Sequence, residues 1–131
     1  MTVLDTSAVV DFLLAEEAGP AVGALLEREG AAAAPDVLVF EVLAVLRRAA
    51  LRDALSDRRA EGALADLGDL ALELVPSLPL RHRAWQMRHR LTAADALFAA
   101  LALELDEPLA TKDAGLAKTA GGFGVGILEL P

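Results

Sequence analysis

Short apolar runs alternate with helix-length segments along almost the whole chain, and this alternation constrains the fold more than any other feature. TVLD (2–5), ALELV (71–75), EPLAT (107–111) and VGILEL (125–130) read as strands, and GAAAAP (30–35) as a second strand or a connector. Helical segments between strands exclude simple hairpins, and short apolar runs suit strands covered on both faces. The pattern predicts an α/β fold with a parallel sheet between helices. Ligands of such open sheets bind at the carboxyl ends of strands, where Asp5 and Asp113 fall.

The punctuation between strands is consistent with this. Thr6 or Ser7 is placed to cap a helix running to about Ala15, and Pro20 suits the first turn of AVGALLERE. Pro35 and Asp36 start a long helix, DVLVFEVLAVLRRAALRDAL, and Ser56 caps DRRAEGALADLGDL. Leu80 to Arg90 reads as helical, Thr92 caps AADALFAALALELD, and AGLAK makes one or two turns before a loop of Gly121, Gly122 and Gly124.

With 131 residues a single domain over 1–131 is expected, large enough to bury a proper core. Hydrophobic residues make up 55% but aromatics only 4%, so the core must be built from Leu, Val and Ala, with helices packed closely. The absence of cysteine removes disulfides, thiolate catalysis and cysteine zinc sites together. No basic region precedes the first apolar run, Asp5 and Asp11 interrupt it, and Asp95 and Glu104 break the longest apolar stretch. A cytoplasmic protein without a secretory leader or membrane span is the expectation. A net charge of −8 disfavours general nucleic-acid binding, so chemistry on a phosphate backbone would need local basic patches or metal ions.

Four acids are oddly placed. Glu41 is the only charged residue in VLVFEVLAVL, where its helical neighbours are Val37, Leu38, Ala44 and Val45. Asp95 opens the apolar helix ALFAALALEL, and Asp5 and Asp113 end strands. Each has a plainer explanation: an exposed rim for Glu41, a capping-box variant for Asp95 in TAAD, and helix caps for Asp5 and Asp113. Those explanations leave the joint pattern unexplained. Four carboxylates in one cleft would repel one another unless cations lay between them, and oxygen-only ligation suits Mg²⁺ or Mn²⁺. Such sites hydrolyse phosphodiesters, because the metal polarises the phosphate and activates water.

VLDTSAVVDFL, FEVLAVL, LTAADALFAALALEL and LATKDAGLAK, in this order and spacing, resemble the PIN-domain ribonucleases, and among them the VapC toxins of bacterial toxin–antitoxin pairs. The resemblance runs from Val3 to about Leu130. It implies a three-layer α/β/α fold with a mostly parallel sheet. It also implies a catalytic, metal-binding site of Asp5, Glu41, Asp95 and Asp113, with Thr111 orienting a ligand and Thr6 and Ser7 in support. RNA hydrolysis with Mg²⁺ or Mn²⁺, a VapB-type antitoxin and a homodimer follow as family expectations.

RHRAWQMRHR concentrates Arg81, His82, Arg83, Arg88, His89 and Arg90 around Trp85, just before Asp95. It is either an RNA-backbone grip, with Arg88 and Arg90 as substrate contacts, or a solvated helix face with Trp85 in the core or at a dimer contact. Arg47, Arg48 and Arg52 are explained by their favourable place at a helix C-terminus. Val9, Val10, Phe12, Leu13 and Leu14 are so apolar that some are expected to face a partner. A receiver-like signalling module is a rival reading, with Lys112 near a late strand, but no Asp follows the middle strand ALELV. A haloacid-dehalogenase-like phosphatase needs an Asp where Ser7 stands. A PIN nuclease of RNA maturation or decay without a toxin role fits the same residues.

Overall fold

The structure, a computed structural model, describes residues 1–131. The strands are β1 (Val3–Leu4), β2 (Ala32–Pro35), β3 (Leu72–Val75), β4 (Leu109–Thr111) and β5 (Ile127–Glu129). The helices are α1 (Thr6–Leu13), α2 (Gly19–Glu29), α3 (Val37–Leu51), α4 (Asp57–Asp69), α5 (Arg81–Trp85), α6 (Ala93–Leu105) and α7 (Ala114–Gly122). All the strands pair in parallel, in the order β3-β2-β1-β4-β5. The chain steps outward from β1 to β3, crosses back to β4 and continues to β5. Strand order therefore reverses between β1 and β4, and a crevice opens at their carboxyl ends. Right-handed crossovers send the two directions of travel to opposite faces of the sheet. α1 packs with α2, α3 and α4, and α6 lies across β1, β2 and β4, which makes three layers.

GAAAAP is a strand. Ala32, Ala33 and Ala34 are wholly buried between β1 and β3. Alanine on both faces lets helices come close. α6 answers with its own buried alanines, Ala96, Ala99, Ala100 and Ala102, and with Phe98 as its one large aromatic. This is how a chain so poor in aromatics fills its interior.

Several boundaries differ from the sequence expectation. Pro35 closes β2 in register with Val75 instead of starting the next helix. α3 stops at Leu51, because Arg52 leaves helical geometry and Asp53 takes a φ of 59°, and this turn carries Leu55 into the core. The segment expected as one helix from Leu80 to Arg90 is a 3-10 turn at Leu78–Leu80, the short α5, and then successive turns to Arg90. Gly121 and Gly122 end α7, and only Gly124, with a φ of 90°, makes a conformation that needs glycine. Val9 and Val10 are core residues, and Phe12, Leu13 and Leu14 pack against the core. The exposed apolar side chains lie elsewhere, among them Val39, Phe40, Leu43 and Leu51 on α3, Leu78 and Trp85. No helix is long and apolar enough to cross a membrane.

Candidate active site

β1 ends at Leu4, and Asp5 turns the chain into α1. Its own side chain is the helix cap: one oxygen accepts from the Ala8 amide at 2.9 Å. Thr6 and Ser7, expected as the caps, have other duties. The Ser7 hydroxyl donates to Asp5, shared between its oxygens at 2.9 and 3.0 Å. The Thr6 hydroxyl reaches away to Glu41. The second oxygen of Asp5 accepts from the Thr111 hydroxyl at the end of β4, and Thr111 Oγ1 in turn accepts from the Asp113 amide at 3.0 Å. Adjacent parallel strands thus join their carboxyl ends through one threonine. Asp5 is only 5% exposed, and this burial pushes its carboxyl above the ordinary range, opposed by the bonds from Thr111, Ala8 and Ser7. Three donors occupy most of the roughly four acceptor directions of a carboxylate, leaving about one for a ligand.

Glu41 is half-buried on α3, and its Oε1 accepts from Thr6 Oγ1 at 2.6 Å. That bond explains an acid inside VLVFEVLAVL: Glu41 is held at the start of α1, one residue from Asp5. Asp95 enters from the other side of the sheet. Its amide donates to Thr92 Oγ1 at 3.2 Å, so the helix cap is real, while its carboxylate lines the same cavity as Asp5 and Glu41. Burial raises its proton affinity first, and the charge of Glu41 next, with smaller repulsion from Asp113 and Asp5. Asp113 caps α7 by accepting from the Leu116 amide at 3.0 Å, and it too faces the cavity. For Asp5 and Asp113, capping and lining the cavity are the same placement seen twice, and Asp95 stands in the first turn after the Thr92 cap. A cap fixes the side chain at a helix N-terminus, and these N-termini meet at one edge of the sheet.

The cavity has a volume of about 590 Å³. Besides the four acids, Asp11, Lys112, Arg48 and Arg52 line it, and none of these was singled out as a site residue from the sequence. Arg48 lies one turn beyond Ala44 on the Glu41 side of α3 and Arg52 just past the helix end, both exposed and in no ion pair. The i, i+4 spacing from Glu41 through Val45 and Ala49 is the signal that marks this face. By contrast, Arg88 and Arg90 are not brought to the cavity. The Arg88 guanidinium lies 4.7 Å from the centre of the Trp85 ring and donates to the Trp85 carbonyl at 3.0 Å. Trp85 is 65% exposed and belongs to neither the core nor the acidic cleft. The break after α5 turns this segment away.

The donor set fits a hard divalent cation in its chemistry: carboxylate oxygens from four elements, no sulfur or imidazole, and mutual repulsion that a cation would relieve. No group of three such side chains converges at metal-ligand spacing. Mg²⁺ tolerates this, because it commonly keeps several waters and takes one or two carboxylates directly.

A layered parallel sheet with acids gathered where its strand order reverses is the architecture of a PIN domain, and residues 2–122 match that family. Ribonuclease VapC1 of Mycobacterium tuberculosis is 42% identical over 120 residues, covering 91% of this chain and 90% of the relative. Ribonuclease VapC12 of the same organism is 36% identical over 121 residues, covering 92% and 93%. The crystal structure of FitAcB from Neisseria gonorrhoeae has the same fold, with a TM-score of 0.69 across 98% of this chain and 97% of that one at 22% identity. The chain belongs to the PIN-domain family, as one of its VapC-type members.

Proposed function

We propose that this chain is a Mg²⁺- or Mn²⁺-dependent endoribonuclease and the toxin of a toxin–antitoxin pair, acting in the cytoplasm. One observation carries the reading: Asp5, Glu41, Asp95 and Asp113 line a single cavity in a chain 42% identical to a ribonuclease. A bound divalent ion supplies charge neutralisation at the phosphate and lowers the pKa of an attacking water. Asp5, immobilised by Ser7, Thr111 and the Ala8 amide, would be the fixed ligand. Glu41, oriented by Thr6, and Asp113, oriented by the Leu116 amide, would hold the ion with it, directly or through its waters. Asp95, whose proton affinity is raised, is suited to share a proton with the reacting water. Arg48 and Arg52 grip the RNA backbone at the rim, where exposed guanidinium groups can take phosphate oxygens bidentately.

A VapB-type antitoxin is the expected partner, covering the cavity mouth at Phe40, which lines the cavity yet is 70% exposed. Pairing of two copies is expected through the remaining exposed apolar surface. The test is cleavage of an unstructured RNA by the purified chain. Cleavage should require added Mg²⁺ or Mn²⁺ and stop in excess chelator; undiminished cleavage in chelator, or none with either metal, overturns the reading. Induced expression should arrest growth, and the antitoxin should relieve it. A chain that cleaves RNA without arresting growth would be a nuclease of RNA maturation instead.

A further inference from the structure

Asp11 is an acid that the proposed chemistry does not use, yet its side chain is only 4% exposed and lines the same cavity. Both its oxygens accept from Lys112 Nζ, at 2.9 and 2.8 Å, and one also accepts from the Ala18 amide at 2.9 Å. Its position is fixed by the backbone as well. Its carbonyl accepts from the Glu16 amide at 2.7 Å, and a Cβ at Gly19 would stand 3.0 Å from that carbonyl oxygen. The chain therefore wraps around Asp11 and cannot easily release it.

Lys112 lies between Thr111, which bonds Asp5, and Asp113. A lysine carries a compact charge on a flexible stem of four carbons. Placed next to Asp113, beside a cluster of carboxylates, it would act as an internal cation competing for the same oxygens. In the structure its ammonium makes no ion pair with any of the four: both of its bonds run to the carboxylate of Asp11.

We infer that Asp11 is a positioning residue that commits Lys112 to α1 and so keeps its ammonium off Asp5, Glu41, Asp95 and Asp113, leaving those acids free for a divalent cation. This rests on the metal-site reading above, and Mn²⁺ titration calorimetry on the full chain separates the two. If the unaltered chain does not bind Mn²⁺, the site reading fails. If it binds, Asp11→Asn should weaken Mn²⁺ affinity by about tenfold or more, as loss of an outer-shell partner does. Lys112→Gln keeps a donor near Asp11 without the charge and should leave affinity within about threefold or tighten it. Asp11→Asn/Lys112→Gln should recover to within about threefold of Lys112→Gln alone. A merely structural role for Asp11 predicts no such recovery. Unchanged affinity in Asp11→Asn, or a double variant as weak as Asp11→Asn, overturns the inference.

A second measurement needs no folded Asp11 variant. The Lys112 ammonium, identified by its loss in Lys112→Gln, should give a slowly exchanging ¹⁵N signal that saturating Mg²⁺ does not move. A signal that Mg²⁺ displaces would place the ammonium among the site acids and overturn the inference.

Discussion

Residues 81–90 hold Arg81, Arg83, Arg88, Arg90 and both histidines, whereas the acidic cavity draws its carboxylates from positions as far apart as 5 and 113. The dense stretch disperses. Arg81 donates to the Leu78 carbonyl at 3.0 Å, Arg83 lies 3.5 Å from Glu104, and Arg88 folds onto Trp85. The scattered acids converge. Charges close in sequence fan out around a helix and its following turns, while parallel strands bring every carboxyl end to one edge. Density along the chain is thus a poor guide to a field in space, and topology is a good one.

The sharpest way to break this comparison is to neutralise one member of each set. Asp95→Asn should lower RNA cleavage by about a hundredfold or more, while Arg88→Ala with Arg90→Ala should change it by less than about threefold. A steady-state assay with saturating Mg²⁺ decides; equal losses would erase the distinction. Asp95→Asn should also raise the melting temperature in metal-free buffer, since it removes a charge that Glu41 repels. The sign follows from linkage. The native carboxyl binds its proton more tightly than the ordinary value of 3.8, so native stability falls as pH climbs from that value through the raised one. Asp95→Asn should flatten this fall in a series of thermal melts.

Glu41→Gln comes next. It keeps size and helix propensity, so the fold should survive while Mn²⁺ affinity falls about tenfold by calorimetry. Thr6→Val should lower it by a smaller factor in the same assay, since Glu41 keeps its charge but loses its 2.6 Å tether. Unchanged binding in Glu41→Gln would remove Glu41 from the site.

These residues also mark how much was legible beforehand. Glu41 stood out because a charge in an apolar helix is costly without a purpose, and Asp5 and Asp113 because strand ends are where such sheets bind. Asp95 was legible only jointly, as the Thr92 cap before it is genuine and accounts for an acid in the first turn. The strand order placed all four together, and the alternation of strands and helices carried that fold. Asp11 was legible only as a question, an acid close to a strand end whose contact with the site the sequence leaves open. Its sequence context, VVDFLL, looks like any amphipathic helix, and its partner Lys112 is 101 positions away. Only the adjacency of β1 and β4 joins them. Arg48 and Arg52 were hidden by a sufficient local explanation, the helix C-terminus. Arg88 and Arg90 make the opposite case: their local density suggests a patch, but Gln86–Arg90 leaves the helix and they do not line the acidic cavity.

The arginines allow a finer test. If Arg48 and Arg52 grip phosphates, Arg48→Ala/Arg52→Ala should weaken RNA binding by a similar factor for every sequence and flatten its salt dependence. For a single strand each lost phosphate contact reduces the slope of log affinity against log salt by about 0.7, so two should reduce it by about 1.4. Binding is read on the Asp95→Asn background, where RNA is not consumed. The same experiment on Arg88→Ala/Arg90→Ala should leave the slope unchanged. A slope that responds to the second pair and not the first would return the grip to residues 81–90.

The smallest expected effect concerns Trp85 and Arg88, the one place where the basic stretch builds something of its own. The guanidinium stacks on an exposed ring, and such a pair is worth about 0.5–1 kcal/mol at a solvated site. Arg88 also closes the turn after α5 through its bond to the Trp85 carbonyl. Arg88→Ala should therefore cost no more than about 1 kcal/mol in chemical denaturation, and Trp85 fluorescence should shift as the ring loses its cover. Arg88→Lys should recover the stacking in part but not the fork of donors that reaches the carbonyl. Metal affinity should stay unchanged in both variants, because no step of this arrangement touches the carboxyl edge of the sheet. A loss of Mn²⁺ binding in Arg88→Ala would mean that the two charged regions communicate through α6, and the contrast between them would then be one of degree.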